Sequence, residues 1–366
     1  MSTTPPGNVT DGAIAGIHHV TAITADPQRN LDFYTSVLGL RFVKLTVNFD
    51  DPGSYHFYFG DEVGRPGTIL TFFAWPGAPR GRQGTGQAAV AAFAIPQAAL
   101  GFWLERLAQH GVGAETLRAR FDEQVIAFQD PDGLRLELVT DPQAAERPAW
   151  QGGPVPLQQA LRGFHSVTLW EEGYERTAEL LTQTLGLRLV AHEETTYRYA
   201  ASPASSANGD DHGPGTLVDV RCAPGLWRGQ VAAGTIHHVA WRTPDDAAQR
   251  RWRARLVAGG LNVTPVIDRT YFHSIYFREP GGVLFEIAPL LPGFTVDEAA
   301  DALGTTLQLP PWLAPQRAEI ERVLPPIRLP GTGQRLPTGA EAEKREQQQG
   351  EAGGGATAPA VDDAPA

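Results

Sequence analysis

The chain has 366 residues, 42% of them hydrophobic, enough for a sizeable core and about two domains. A formal net charge of −11 with no basic cluster argues against nucleic acid or an anionic membrane surface as a partner. Cys222 is the only cysteine, which excludes a disulfide framework and any thiolate-rich metal site.

The opening residues MSTTPPGNVTDGAIAG lack a basic n-region and an apolar h-region, so no signal peptide is expected. No apolar run approaches the roughly 20 residues of a membrane span, and a soluble cytoplasmic protein is the default reading. The first predicted strand is IHHVTAI, from Ile17 to Ile23. A helix over 27–38 (PQRNLDFYTSVL), the pair Gly39-Leu40 and a closing strand TILTFFAW over 68–75 complete a first unit. A second unit opens on AVAAFAI over 89–95, carries a helix over 97–110 and closes on VIAFQDPDGLRLELV over 125–139. A third opens on FHSVTLW over 164–170, runs through a helix over 175–185 to Gly186-Leu187, and closes on TLVDVRC over 216–222. The fourth opens on IHHVAWR over 236–242, has a helix over 245–258 and closes on SIYFREPGGVLFEIA over 274–288.

These are imperfect copies of one plan. FYTSVLGLRFV in unit one echoes LLTQTLGLRLV in unit three, and FQDPDGLRLELV in unit two echoes FREPGGVLFEIA in unit four. The Pro-Asp-Gly and Pro-Gly-Gly centres supply the positive-φ positions a tight hairpin needs. Four units are too few and too irregular for a solenoid, so pairing as curved sheets is the way to bury their faces. The polar stretch 201–215 reads as an inserted loop. Residues 293–329 hold a short helix (VDEAADALG) and a segment whose Trp312, Leu313 and Ile320 are expected to dock on the body. From Pro330 the chain is low-complexity and predicted disordered.

Two copies of Ile-His-His-Val, 219 residues apart, carry the chemistry. A lone histidine on a strand is usually structural, but two in matching settings are not a coincidence of composition. Glu286, flanked by Leu284, Phe285, Ile287 and Ala288, is costly to bury unless it meets a cation or metal. Arg269 and Arg278 are the candidate partners if it is merely an ion pair. Two histidines and one carboxylate form a set that suits non-haem Fe(II) with open coordination positions, although ligand type alone does not exclude Mn(II). Neighbours on a strand point to opposite faces, so alternation leaves open which histidine of each pair faces inward.

The IHHVTAI…FYTSVLGL opening, the SIYFREPGGVLFEIA hairpin and the LPPWL segment resemble the vicinal oxygen chelate (glyoxalase/bleomycin resistance/dioxygenase) superfamily, and within it the ring-cleaving hydroquinone dioxygenases. The likeness covers residues 15–328. It implies an α+β fold of four βαβββ units pairing into two open, barrel-like curved sheets. The first vicinal oxygen chelate domain would span 15–142, the second 160–290, followed by the docking segment 291–329 and the tail 330–366. It also implies that the second histidine of each pair and the last-strand glutamate hold the metal: His19, His238 and Glu286. His18, Thr21, His237, Arg269 and Tyr276 would surround them as catalytic groups, with His18 or His237 as acid/base and Arg269 and Tyr276 orienting the substrate hydroxyl.

Units one and four hold all three ligands and should pair into the active sheet, with two and three forming the other. Glu137 is the unit-two counterpart of Glu286, held by Arg135 or Arg162, and His165 is the unit-three counterpart of the ligand histidines. Unit two lacks a matching histidine, so the second cavity is read as vestigial. Asp130, Asp132 and Glu279 are expected in solvated turns. The function that follows is an Fe(II)-dependent extradiol-type dioxygenase taking a small aromatic para-diol and O₂, with homo-oligomerisation left open. A glyoxalase-like divalent-metal isomerase or transferase would need a carboxylate from unit one, whose closing strand has none. A non-catalytic aromatic- or drug-binding protein would need no complete metal triad.

Overall fold

The computed structural model describes residues 14–115, 118–201, 213–331, 333, 335 and 336. Most of the predicted inserted loop and nearly all of the tail lie outside the described residues. Residues up to Gln308 form one compact part and those from Leu309 another, which carries the short helix Arg317–Val323.

Each unit contributes four strands in the order strand, helix, three strands. Unit one supplies β1 (Ile17–Thr24), β2 (Arg41–Asn48), β3 (Asp51–Gly60) and β4 (Ile69–Ala74). Unit two supplies β5 (Gln87–Ile95), β6 (Arg118–Arg120), β7 (Glu123–Gln129) and β8 (Arg135–Thr140). Unit three supplies β9 (Phe164–Glu171), β10 (Arg188–Glu193), β11 (Thr196–Ala200) and β12 (Leu217–Cys222). Unit four supplies β13 (Ile236–Thr243), β14 (Ile267–Asp268), β15 (His273–Arg278) and β16 (Leu284–Pro289). The strands form two curled, barrel-like sheets of eight, ordered β14-β15-β16-β13-β1-β4-β3-β2 and β10-β11-β12-β9-β5-β8-β7-β6. Units one and four therefore share one sheet and units two and three the other.

The sequence echoes have structural echoes. FYTSV and LLTQT each wind into a π-turn, with Leu38 N–H donating to Phe33 and Leu185 N–H to Leu180. The two hairpin glycines, Gly133 and Gly282, take φ of 94° and 113°, which a side-chain-bearing residue would resist. The turn acids are not solvated as expected. Asp130 is buried and accepts the Asp132 and Leu134 N–H groups and the Tyr34 hydroxyl. Glu279 is equally buried, accepting Gly281 N–H, Val283 N–H and the Thr177 hydroxyl. Each satisfies turn amides that would otherwise be stranded in the interior.

Strand β3 shows how one element serves two faces. Phe57 and Phe59 point into an aromatic layer with Phe42, Phe72 and Tyr34, while His56 and Tyr58 point the other way, into the concavity of the sheet. The segment after β16 closes over this end: Phe294 and Leu303 pack with Val43, Tyr58 and Tyr271. Lys44 on β2 is fully buried there, bonded to Glu298 and, at 2.6 Å, to Asp297. Among the described residues no helix is long and apolar enough to cross a membrane.

Removing the Lys44 cation strands two carboxylates in a partly desolvated pocket. Lys44→Met is expected to cost about 3 kcal/mol of unfolding free energy, read as a lower urea midpoint with unchanged slope. An unaltered midpoint would show that the pair contributes nothing to holding this segment.

Candidate metal centre

The site is assembled where β1 runs antiparallel to β13, with Val20 opposite Val239 and Thr21 opposite His238. The pairing is interrupted twice. Ile17 lies opposite Trp241 and His19 opposite Ala240, so His18 is an extra residue on β1; Thr21 and Ala22 face His238 and Ile236, so His237 is an extra residue on β13. Both first histidines thus sit in β-bulges, where alternation fails and a side chain is re-aimed. Each lies against its neighbour: Nδ1 of His18 is 3.0 Å from Nδ1 of His19, and Nδ1 of His237 is 2.7 Å from Nδ1 of His238. As expected, only the second histidine of each pair lines the interior cavity, and the bulge lays the first against it.

The second histidines converge. Nε2 of His19 and Nε2 of His238 are 3.3 Å apart, and Glu286 Oε2 is 3.3 Å from the first and 3.0 Å from the second. Glu286 arrives because β16 runs parallel beside β13, pairing it with Ala240. All three residues are buried, and their ligand atoms lie within 4.8 Å of one another. Glu286 Oε1 accepts the Ser274 hydroxyl at 2.6 Å, but Oε2 makes no well-formed hydrogen bond. Neither candidate arginine pairs with it: Arg269 donates to Asp50 at 2.8 Å and Arg278 to the Gly282 carbonyl. A fully buried carboxylate oxygen facing two imidazole nitrogens, with no cation, is a donor set that fits a divalent metal.

Above it lies a cavity of about 350 Å³, open solvent at its mouth included, walled by Phe49, Phe73 and Phe272. His19, His238, Arg269 and Tyr276 line it, together with Asn48, His56 and Tyr58. The Arg269 guanidinium lies 5.7 Å from the Tyr276 ring centre, and the next residue, Thr270, takes φ of 68°, a strained conformation for a β-branched residue. Of the predicted group, Arg269 and Tyr276 face the cavity directly. Thr21 is fully buried and receives a hydrogen bond from Thr71, and His18 and His237 stand behind the two converging histidines. Ser274, His56 and Tyr58 were not singled out in the sequence. Their only signal is alternation: Ser274 shares a strand face with Tyr276, and His56 with Tyr58.

The second sheet repeats the architecture without the donors. β9 and β5 pair with the same two bulges, at His165 and Ala89. His165 is therefore the counterpart of bulged His18, whereas Ser166 and Val90 occupy the places of His19 and His238. Nor is Glu137 held by Arg135 or Arg162 as expected. It accepts from Arg120 at 2.8 Å, while Arg135 lies over Trp170 and Arg162 donates to the Arg147 and Leu157 carbonyls. His165 meets Glu123, which Arg198 also binds.

With fold and site in hand, the class is that of a paired-sheet protein with a buried His-His-Glu group suited to a metal ion. The Glyoxalase/Bleomycin resistance protein/Dioxygenase superfamily model matches residues 16–138 and 163–287, and the chain belongs to that superfamily. It is 46% identical over 312 residues to a Bacillus subtilis protein named, provisionally, as ring-cleaving dioxygenase MhqO, covering 85% of this chain and 96% of that one. It is 32% identical over 317 residues to the chlorohydroquinone/hydroquinone 1,2-dioxygenase of Sphingobium indicum, covering 85% and 96%. A crystal structure of a provisionally named dioxygenase from Bacillus subtilis superposes with a TM-score of 0.81 at 45% identity, over 86% of this chain and 98% of that one. This similarity places the chain among the oxygenase enzymes of the superfamily.

Burial, and the neighbouring His19, push the His18 imidazole down to about 3; burial and His238 do the same to His237. Burial lowers His238 as well. For Glu286 burial acts upward, but His19 and His238 outweigh it and hold the carboxyl well below its ordinary range. The unfolded chain takes up the histidine protons near pH 6.5, the folded chain only near 3. The metal-free protein should therefore be most stable above pH 6.5 and lose stability as pH falls toward 3, with Glu286 acting in the same direction below its usual range. His237→Phe should flatten this loss. Melting temperatures of both proteins between pH 7 and about pH 4 check it, and identical slopes would contradict it.

Proposed function

We propose that this chain is an Fe(II)-dependent, extradiol-type dioxygenase that opens the ring of a para-diol aromatic, with His19, His238 and Glu286 as the metal ligands. The observation that carries the reading is the uncompensated Glu286 oxygen facing two imidazole nitrogens beneath an aromatic-walled cavity. When bound there, iron would supply Lewis acidity and a path for electrons between a phenolate and dioxygen.

The remaining chemistry falls to the chain. For Nε2 of His19 and His238 to offer lone pairs, their Nδ1 atoms must carry protons. Neutral His18 and His237 accept those protons as hydrogen bonds and lock both rings. Ser274 fixes the other oxygen of Glu286. Phe49, Phe73 and Phe272 exclude water and hold a planar ring. Arg269 and Tyr276 line it as donors where negative charge grows on a substrate oxygen. Burial and the neighbouring Glu286 push the Tyr276 hydroxyl up, so it stays protonated and able to donate.

A glyoxalase-type centre would draw a second carboxylate from β4. The two-fold relation between β1 and β13 sets Thr71 opposite in role to Glu286, so a hydroxyl stands where that ligand would be. This favours an oxygenase over a glyoxalase-like isomerase. The chlorohydroquinone/hydroquinone 1,2-dioxygenase relative supports a para-diol substrate.

The test is oxygen uptake after anaerobic Fe(II) loading. Hydroquinones should be consumed faster than catechols, and a catechol preference would sink the substrate assignment. His19→Ala, His238→Ala and Glu286→Ala should each lose iron and activity while keeping the fold. Tyr276→Phe should keep its iron and lose about 10²–10³ in rate. Stoichiometric iron with full turnover in any triad variant would overturn the ligand assignment.

A further inference from the structure

We propose that Tyr58 selects the substrate hydroxyl remote from the metal, by accepting its hydrogen bond, and that His56, Thr71 and Thr21 hold Tyr58 in that acceptor state. This rests on the para-diol reading above. The four side chains form one line: Tyr58 hydroxyl to His56 Nδ1 at 2.9 Å, His56 Nε2 to Thr71 Oγ1 at 2.9 Å, and Thr71 Oγ1 to Thr21 Oγ1 at 2.8 Å. Tyr58 and His56 line the cavity, and Thr71 and Thr21 are fully buried behind them.

The direction of the line follows from counting protons. The Thr71 hydroxyl donates to Thr21, so its lone pair is free to accept Nε2–H of His56. A neutral imidazole carries one proton, so Nδ1 is bare and accepts the Tyr58 O–H. Tyr58 thus spends its only proton inward and presents a lone pair to the cavity. Burial supports the neutral state of both groups, pushing His56 well below and Tyr58 well above their ordinary values. Arg269, on the same cavity, is donor-only and cannot receive a substrate proton. A para-diol coordinated through one oxygen keeps an O–H at the far end that needs an acceptor, and a buried hydroxyl without one is penalised. Thr71 is the pivot, standing where a glyoxalase-type centre would have a carboxylate.

The experiment is anaerobic calorimetry on the full-length, Fe(II)-loaded protein with hydroquinone and 4-fluorophenol. The second probe has similar size but no far-end donor. Hydroquinone should bind about tenfold tighter. Tyr58→Phe should bring the two affinities together with iron content unchanged. His56→Leu, which frees the Tyr58 proton to point into the cavity, and Thr71→Val, which unpins the imidazole, should both narrow the ratio. Equal affinities in the unmodified protein overturn the proposal whether or not any variant folds, as does a ratio that survives Tyr58→Phe. Binding is read without O₂, so this outcome is separate from ring cleavage, which the oxygen-uptake assay decides.

Discussion

Everything at the site depends on the antiparallel pairing of β1 with β13 and the single bulge on each strand. That pairing joins histidines 219 positions apart in sequence and brings Glu286 alongside through the parallel neighbour β16. The bulges do what regular strands cannot. They let two consecutive histidines lie against each other, so that one ring faces the cavity and the other steadies it from behind. A one-residue slip in this register would turn the converging nitrogens away from the carboxylate.

The two sheets form a natural comparison in electrostatics. In the second sheet, Glu137 sits where Glu286 sits in the first, and it is neutralised by Arg120 at 2.8 Å. Arg269 stands at the equivalent distance before its hairpin, yet it is drawn away to Asp50 and to the face of Tyr276. Glu286 Oε2 is left facing two imidazoles, with no guanidinium beside it. Burying a carboxylate without a counter-charge is expensive, and two histidine nitrogens beside it complete a donor set suited to a cation. One scaffold thus uses a guanidinium for structure in one copy and leaves room for a metal in the other.

Much of this was legible in the residues. The four-unit plan, the hairpin glycines and the grouping of units one and four follow from repeated words whose chemistry is specific; which histidine of each pair stands with Glu286 was implied only by the family resemblance. What escaped has physical reasons. A bulge is a property of backbone pairing between distant strands, so nothing in His-His announces it; His165 was matched to the ligand histidines when it is the bulged residue. Arg120, which bonds Glu137, sits on β6, a three-residue strand with no period to read. The acids Asp130 and Glu279 look like solvent-facing turn residues until their amide partners are seen. His56 and Tyr58 lie in SYHFYFG, where every second position is aromatic on both faces and polarity gives little contrast.

The central claim is that the two histidine nitrogens and the glutamate oxygen bind one ion together. X-ray absorption at the iron edge of the anaerobically loaded protein tests it most directly. The account predicts a first shell of nitrogen and oxygen only, with outer-shell scattering from two imidazoles that drops to one in His238→Ala at any residual occupancy. A sulfur scatterer from Cys222, or a shell without imidazole, would contradict it.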